Sequence, residues 1–443
     1  MISNQRTDTV KKNIVATVIV RILSMFTSFL LIPITLNYIT KDIYGIWLTI
    51  SSIYAFLSIL DVGLGNGLRI KLGTSLANDN KLLARYYVST AYYYFPLILF
   101  PVSILIYLLI PCFSWDKVFH VSASYQSELI VVIRIIVIGF SVRVYLSLLN
   151  SVLSALQKTR VISIIDFFVN LLAMGAIMIA GRLGHIDLRC LAIIYSIVPI
   201  VLLIIFSIVY WCRNNYIFPK LSYARNVYFK DILSLGCKYF VIQILALITL
   251  SSGNFIIVSL STAGEVFDYN MVQKYFSIVL TLYTFIVVPL VPAFNDAYYS
   301  GDISWIHTQM SRLKKIWLGS FLLVVLLIVC SGLIFKVWLG NHSDVSLVLI
   351  IMYGIYAILN GLSSIFSSFI NGIGDTNVQM IIGVVNVSLM TFGVYYLMSY
   401  FDLGAVGYVM ISIVSMMVSA VLLRLRYNKI MNKYNEEIND SVV

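Results

Sequence analysis

The feature that most constrains the fold is a succession of long apolar segments separated by short polar ones, which runs through almost the whole chain. About 20 consecutive apolar residues form a helix long enough to cross a bilayer, and lipid accepts only helices and closed barrels as spanning structures. A charged fraction of only 11% and a mean hydropathy of +0.95 exclude a soluble globular protein. We therefore predict an all-α polytopic membrane protein with about 12 transmembrane helices. The predicted spans are 13–39, 43–66, 87–110, 126–150, 161–181, 189–212, 235–260, 267–294, 315–338, 345–370, 378–400 and 405–424.

The distribution of positive charge predicts the orientation of these spans. With the N-terminus placed in the cytoplasm, 20 of the 30 Lys and Arg residues lie in or beside segments on that side, five lie on the opposite side and five lie within spans. Short segments rich in Lys and Arg stay cytoplasmic. Both termini are therefore predicted to be cytoplasmic. The first span is too long for the apolar core of a signal peptide, and no small-residue cleavage site follows it, so we expect it to remain as a helix.

Neither the loops nor the motifs indicate an enzyme. No predicted loop exceeds about 22 residues, and the sequence contains no GxxxxGK[ST], GxSxG or HExxH motif. The four His residues are isolated in predicted loops, and the five Cys residues show no CxxC spacing. We therefore predict no catalytic residue, no metal site and no cofactor. Membrane lipids are a sufficient partner for the net charge of +11, so no nucleic-acid partner is predicted.

A weak internal repeat suggests that the chain consists of two similar halves. A shift of 217 residues places SALQKTRVISII (154–165) over NGIGDTNVQMII (371–382), with four identities, and places Arg21 over Lys238. Parallel duplications of this kind are common in transporters, whose substrates bind near mid-depth where the two repeats meet. We therefore predict two six-helix lobes, 1–218 and 219–443, with a binding cavity between them.

Seven charged residues within the predicted spans are the candidate site residues. The cations Arg21, Arg134, Arg143, Lys238 and Lys274 are candidates for substrate binding, and Asp61 and Asp166 are candidates for charge pairing or ion coupling. A charged group is costly in hydrocarbon and therefore usually faces protein or a watery cavity. Because cations outnumber acids, and because low dielectric strengthens each contact, the pattern predicts an anionic substrate.

Each candidate also has a purely structural interpretation. Lys238 lies close enough to a predicted helix end for its ammonium to reach the interface. Arg21 lies about 12 Å into its span, which makes that explanation harder. Arg134 and Arg143 are nine residues apart and fall on opposite faces of a straight helix. Arg134, the deeper of the two, is the better cavity candidate, whereas Arg143 is suited to pairing with Asp166 or with a lipid phosphate.

Two long stretches resemble one particular family. LDVGLGNGLRIKLGTSLANDNKLLARYYVSTAYYY (60–94) and YNMVQKYFSIVLTLYTFIVVPLVPAFNDAYYSGDISWI (269–306) are similar to the polysaccharide flippases, the Wzx-type branch of the multidrug/oligosaccharidyl-lipid/polysaccharide exporter superfamily. SALQKT and FINGIGDTNVQ resemble the paired connections that follow the fourth and tenth spans in that family. The chain departs from the family at Val291 and Asp296, where Trp and Glu are frequent, so the resemblance assigns no special role to that loop.

The resemblance implies both a fold and a function. The fold would be a V-shaped pair of six-helix lobes that alternates between inward-open and outward-open states. The cargo would be an oligosaccharide repeat unit, of an O-antigen or related surface polysaccharide, linked to undecaprenyl pyrophosphate and moved from the cytoplasmic to the outer leaflet of the bacterial inner membrane. A polysaccharide polymerase and a chain-length regulator are the protein partners that such a function would involve. A pyrophosphate is a dense anion that Arg contacts through paired donors.

Three other functions remain open at this stage. A flippase for the lipid-linked peptidoglycan precursor would carry the same pyrophosphate, so the charge pattern does not separate it from the first interpretation. A multidrug cation exporter shares the architecture, but its cargo favours carboxylates. An O-antigen polymerase or related membrane enzyme generally has a large outer loop, whereas the longest one here is 111–125. The energy source also stays open between a proton gradient, a sodium gradient and downstream consumption of the cargo.

Overall fold

The computed structural model describes residues 2–57, 64–119, 121–156, 158–184, 186–287, 290–342, 344–373, 375–401 and 403–442. Within these ranges the backbone alone is described at 2–18, 53–57, 77, 159, 235–243, 245–252, 292, 296, 299, 341, 376–377, 398–399 and 433–442. The described part of the chain is almost entirely helical and contains no β-strand. The predicted all-α fold is confirmed.

The first half of the chain forms nine helices, separated by turns and by short 3-10 segments. They are α1 (Ile2–Leu36), α2 (Lys41–Leu57), α3 (Leu64–Ala77), α4 (Lys81–Leu109), the short α5 (Trp115–Val118), α6 (Gln126–Leu146), α7 (Leu148–Ala155), α8 (Thr159–Arg182) and α9 (Leu188–Arg213). Two 3-10 turns, Asn215–Ile217 and Leu221–Tyr223, lie in the connector to the second half, which we define as residues 214–225.

The second half follows a similar plan with longer helices. They are α10 (Asn226–Leu260), α11 (Ala263–Val287), α12 (Leu290–Ser300), α13 (Ile303–Leu339), α14 (Leu347–Gly372), α15 (Thr376–Ser388), α16 (Val394–Phe401) and α17 (Gly404–Val442). A π-helical segment, Leu389–Gly393, joins α15 to α16. α8 and α15 begin 217 residues apart, which is the offset of the sequence repeat.

Polar residues explain where several of these helices begin. Asn80, Asp187 and Asp302 each accept a hydrogen bond from a backbone N–H in the first turn of the following helix, at 2.9, 2.7 and 3.0 Å. Such caps satisfy donors that have no partner within the helix. Gly301 adopts a φ of +78° immediately before the Asp302 cap, a conformation that glycine reaches without steric cost.

Nine helical stretches of the described chain are long and apolar enough to cross a membrane. They coincide with nine of the predicted spans. The other three predictions, 43–66, 235–260 and 267–294, correspond to α2, α10 and α11. α11 is less apolar than most spans because it carries Asn270, Gln273 and Lys274. The chain therefore has the architecture of a multi-pass membrane protein.

The helices group into two compact units, Met1–Ile244 and Leu245–Val443. The division falls inside α10 because the connector and the first turns of α10 pack against α4, within the first unit. In that unit α1 packs on α8 and α6 packs on α9; in the second unit α14 packs on α11, α13 and α17. The compact units are defined by contacts between residues, whereas the boundary at residue 218 comes from the sequence repeat. The division into units therefore does not test that boundary, which stays a prediction.

Candidate functional site

A polar group of five residues lies where α1 meets α8 in the first unit. Asn170 of α8 donates from its side-chain amide to the hydroxyl of Ser24 in α1 at 3.0 Å and to the Ser24 carbonyl at 3.4 Å. Arg21 lies three residues before Ser24, and Asp166 lies four residues before Asn170, so each is one helical turn away on the same side. Arg143 of α6 completes the group, which we call the Asp166 cluster.

The charges of this cluster interact. The positive charges of Arg143 and Arg21 both act on the Asp166 carboxyl group. The Arg21 and Asp166 side chains are exposed, and Arg143 is half-buried. Exposed charges at membrane depth face a watery cavity or other protein rather than lipid tails. With two cations against one carboxylate, the cluster has an excess positive charge that can bind an anion.

Arg134 lies in a different environment from Arg143, although both belong to α6. Its guanidinium is placed over the ring of Tyr107 in α4, with 4.8 Å between the guanidinium carbon and the ring centroid, and its Nε is buried. A cation over an aromatic face is attracted by the ring quadrupole, which partly replaces lost hydration. The structure therefore directs the two arginines toward different helices, as expected for residues nine positions apart.

The remaining candidates are less completely defined. Lys274 is half-buried near the middle of α11. Lys238 belongs to the helical backbone of α10, but its side chain lies outside the described residues, and Asp61 lies outside them altogether. Of the seven predicted site residues, the structure thus brings Arg21, Arg143 and Asp166 together and places Arg134 and Lys274 elsewhere. Their functional roles stay predictions.

Sequence reasoning missed a second polar group, in the second unit. Asn270 of α11 donates to the side-chain oxygen of Asn254 in α10 at 2.8 Å. Beside it, the buried ring of Tyr269 makes edge contacts with Tyr408 of α17 at 5.3 Å and with Tyr353 of α14 at 6.1 Å between centroids. We call these five residues the tyrosine cluster. It joins four helices through rings that also carry hydroxyl groups.

The spacing of polar residues along α11 and α14 could have predicted this cluster from the sequence. Tyr353, Tyr356 and Asn360 recur at intervals of three and four on α14, and Asn270 and Lys274 are four residues apart on α11. Such polar stripes on apolar helices indicate an interior polar surface. Tyr is also enriched at the membrane interface, so the tyrosines alone do not identify an interior cluster. Asp268, which is not among the predicted site residues, is half-buried near the start of α11.

No group of three or more His, Cys, Asp or Glu residues that could hold a metal ion occurs in the described part of the chain. The described cysteines, Cys112, Cys190, Cys212 and Cys330, are free thiols. The chemistry available to the two clusters is therefore that of hydrogen bonds, ring faces and fixed charges, which suits binding and orientation.

The fold and the embedded polar groups define a class: polytopic helical membrane proteins with the fold of the MATE transporters. A structure described as an inward-facing conformation of a multidrug resistance MATE family transporter of the MOP superfamily matches with a TM-score of 0.79 and 14% identity, over 95% of this chain and 99% of that one. The outward-facing conformation of such a transporter matches with a TM-score of 0.66 and 15% identity, over 96% and 97%. At this level of identity the likeness establishes the fold.

A third solved structure, MATE in the straight conformation, gives a TM-score of 0.61 at 14% identity over 95% of this chain and 96% of that one. No protein-family model matches the sequence, and no curated protein matches it either. The fold is thus shared over almost the whole length of these solved transporters, while identities of 14–15% do not identify the cargo of this chain.

Proposed function

We propose that this protein is a flippase that moves an anionic, lipid-linked oligosaccharide across the bacterial inner membrane, from the cytoplasmic to the outer leaflet. The cargo we propose is a repeat unit of an O-antigen or related surface polysaccharide on undecaprenyl pyrophosphate. Three observations support the proposal: the transporter fold, the resemblance of two long sequence stretches to polysaccharide flippases, and the excess of cations at membrane depth.

The Asp166 cluster is the observation that carries the proposal. A pyrophosphate that leaves water loses hydration, and that loss must be offset by charged donors in the protein. Arg21 and Arg143, whose positive charges act on the same carboxyl group, supply such donors. In the absence of cargo, Asp166 neutralises part of their charge; when pyrophosphate arrives, the arginines exchange one anionic partner for another. This exchange keeps binding reversible, as a transporter requires.

The other embedded residues fit the remaining parts of such a cargo. Sugar hydroxyls need donors and acceptors that do not carry full charges, and the tyrosine cluster consists of neutral polar and aromatic side chains of this kind. Arg134 and Lys274, which lie outside the Asp166 cluster, remain candidates for contact with the anionic cargo, as does Lys238, which corresponds to Arg21 in the sequence repeat. The prenyl chain can remain in lipid while the head group crosses.

The decisive experiment measures the leaflet in which a radiolabelled lipid-linked repeat unit resides in inverted membrane vesicles, in cells that lack the polymerase and ligase. We expect protein-dependent movement into the lumen. Arg21→Gln and Arg143→Gln should each slow this movement at least tenfold, about 1.4 kcal/mol of barrier, whereas Arg21→Lys should retain much of the rate. Arg189→Gln, which removes an exposed cation from the first turn of α9, is the matched control. Wild-type rates in both Gln variants would refute the assignment of the cluster.

Two further arms of the experiment address other cargoes. The solved relatives are described as multidrug resistance transporters, and the carboxylates Asp166 and Asp268 favour a cation exporter as the second candidate. Energy-dependent efflux of a fluorescent organic cation that is lost in Asp166→Asn, without movement of the lipid-linked glycan, would establish that alternative. The third candidate function, a flippase for the lipid-linked peptidoglycan precursor, is tested by using that precursor as the labelled lipid in the vesicle assay. Proton and sodium ionophores then identify the coupling ion.

A further inference from the structure

A cleft in the first unit lies apart from both polar clusters. It has a volume of about 480 Å³ and opens on the surface of the unit. Five aromatic rings and two prolines line it, and none of these seven residues carries a charge at neutral pH. They are Tyr92, Tyr93, Pro96, Phe100, Tyr145, Phe218 and Pro219. The lining comes from α4, the end of α6 and the connector.

The connector wall of the cleft is held in place by specific bonds to α4. Arg85 donates from Nε to the Phe218 carbonyl at 3.2 Å. The backbone N–H of Lys220 donates to the Ser89 hydroxyl at 3.1 Å, and that of Arg225 donates to the Thr90 hydroxyl at 3.1 Å. Buried side chains that bond to the main chain fix a segment more firmly than a surface loop is usually fixed. The fold therefore fixes the connector wall of the cleft in place.

The helix surface next to the cleft is suited to contact with hydrocarbon. On α4, Tyr93, Leu97, Phe100, Ile104 and Leu108 follow one another at intervals of three and four, and they are 38–68% exposed. This stripe belongs to a span with a mean hydropathy of 2.4. Apart from the Tyr93 hydroxyl this exposed face is apolar, and an apolar exposed face at membrane depth is a lipid-facing surface. A ligand in the cleft would consequently arrive from the bilayer.

Positive charge is concentrated at the connector end of the same cleft. Lys220 directly follows the lining residue Pro219, and Arg85 is bonded to the lining residue Phe218. Arg213 and Arg225 lie close by in the chain, and all four belong to the side predicted to be cytoplasmic. An aromatic groove that opens to lipid at one end and is bordered by cations at the other matches a molecule with an apolar chain and an anionic head.

We propose that this cleft binds one acyl chain of an anionic phospholipid of the cytoplasmic leaflet, with the lipid phosphate at Lys220. The bound chain would fill the space between α4 and the connector and hold Phe218 and Pro219 in their observed positions. The proposal concerns a structural lipid. It does not depend on which cargo the protein moves, or on whether it moves one, and so goes beyond the proposed function.

Photocrosslinking of lipids to the purified full-length protein in nanodiscs tests the proposal. Phosphatidylglycerol and phosphatidylcholine with the same photoactivatable acyl chain are compared, and the labelled residues are mapped by mass spectrometry. We expect labelling of the Tyr93 to Phe100 segment and of Phe218 to be about fivefold higher with phosphatidylglycerol, since one lysine near a lipid of net negative charge contributes about 1 kcal/mol, whereas the choline group of phosphatidylcholine neutralises its phosphate. The exposed residues Leu322 and Val329 of α13 report ordinary boundary lipid and should label equally with both.

Lys220→Gln is the decisive variant, because Lys220 contacts α4 through its backbone N–H, which the substitution leaves in place. We expect it to remove the preference for phosphatidylglycerol at the cleft, while Lys336→Gln, at an exposed lysine near the end of α13, leaves the preference unchanged. Equal labelling by both lipids at the cleft, or a preference that persists in Lys220→Gln, would overturn the proposal. Size-exclusion profiles matching wild type confirm that each variant is folded.

Discussion

Gly139 offers the sharpest test of the packing inside the first unit. It lies in α6 between Arg134 and Arg143, where the sequence alone would suggest a bend. In the structure it is instead the point at which α6 approaches α9 closely. A Cβ added at Gly139 would overlap the Cβ of Ser196 and lie 3.3 Å from its Cα. Both residues are buried, so neither helix can turn the new methyl group toward lipid.

The expected size of the effect follows from two opposing terms. Alanine favours the helix over glycine by up to about 1 kcal/mol. Inserting a methyl group into a packed interior costs about 1–3 kcal/mol, and here the obstructing atom is a Cβ fixed to its own backbone. We therefore expect Gly139→Ala to lower the free energy of unfolding by about 1–2 kcal/mol, or the Tm by roughly 2–8 °C for a unit of this size.

Thermal unfolding in one detergent measures this change. Gly175→Ala is the matched control, because Gly175 is also helical and a Cβ there meets no atom within 4 Å; its Tm should stay the same or rise. Ser196→Gly should restore stability in the Gly139→Ala background by removing the obstructing Cβ, with a coupling energy of about 1–2 kcal/mol in the double-mutant cycle. A Gly139→Ala protein as stable as Gly175→Ala would refute the close approach of α6 and α9.

Two further predictions concern other contacts. Arg426→Gln should lower the free energy of unfolding by about 1 kcal/mol, visible as a lower Tm, because Arg426 Nε donates to Asp375 at 2.7 Å and that carboxylate, only 13% exposed, would lose its partner. Thr90→Val should speed tryptic cleavage of the connector about fivefold, because it removes the hydroxyl that accepts from the backbone N–H of Arg225.

Each of these variants has a control in the same chain. Arg424→Gln removes an exposed arginine that lies two residues before Arg426 on α17. This variant should leave the Tm within error of wild type. Thr308→Val removes a hydroxyl that donates to the Ser304 carbonyl in the preceding turn of its own helix, and should not change cleavage of the connector. Equal Tm values for the two arginine variants, or equal cleavage rates for the two threonine variants, would contradict the respective contact.

The fold could be predicted from the sequence because a bilayer permits few backbone structures. A segment such as 189–212 can satisfy its backbone in lipid only as a helix, so its apolar length alone predicts α9. The interruptions were harder to foresee. The sequence predicts α11 as a span, yet its polar stripe makes this helix less apolar than its neighbours. The hydropathy pattern does not indicate the π-helical segment Leu389–Gly393.

The candidate site could be predicted from the sequence only in part. A charged residue within a predicted span is easily identified, but the sequence does not show which residues lie next to it. The spacing of Arg134 and Arg143 predicts opposite faces, and the structure has them so, but nothing in the sequence indicates that Tyr107 lies under one of them. Opposite charge predicts the pairing of Arg143 with Asp166 as one alternative. That Arg21 shares the same carboxylate depends on the packing of α1 against α8, a contact between residues far apart in the chain.

This sharing gives the cluster a property that no single residue has. If Arg143 alone faced Asp166, the pair would be neutral, and an approaching pyrophosphate would have to separate it. With Arg21 present, the carboxylate cannot neutralise both cations, so a positive charge remains for the anion while Asp166 still offsets part of the charge of the two arginines. Asp166→Asn should accordingly bind an anionic head group more tightly but release it more slowly, so that equilibrium binding rises while the rate of movement in inverted vesicles falls. A variant in which binding and rate rise together would show that Asp166 merely opposes the cargo.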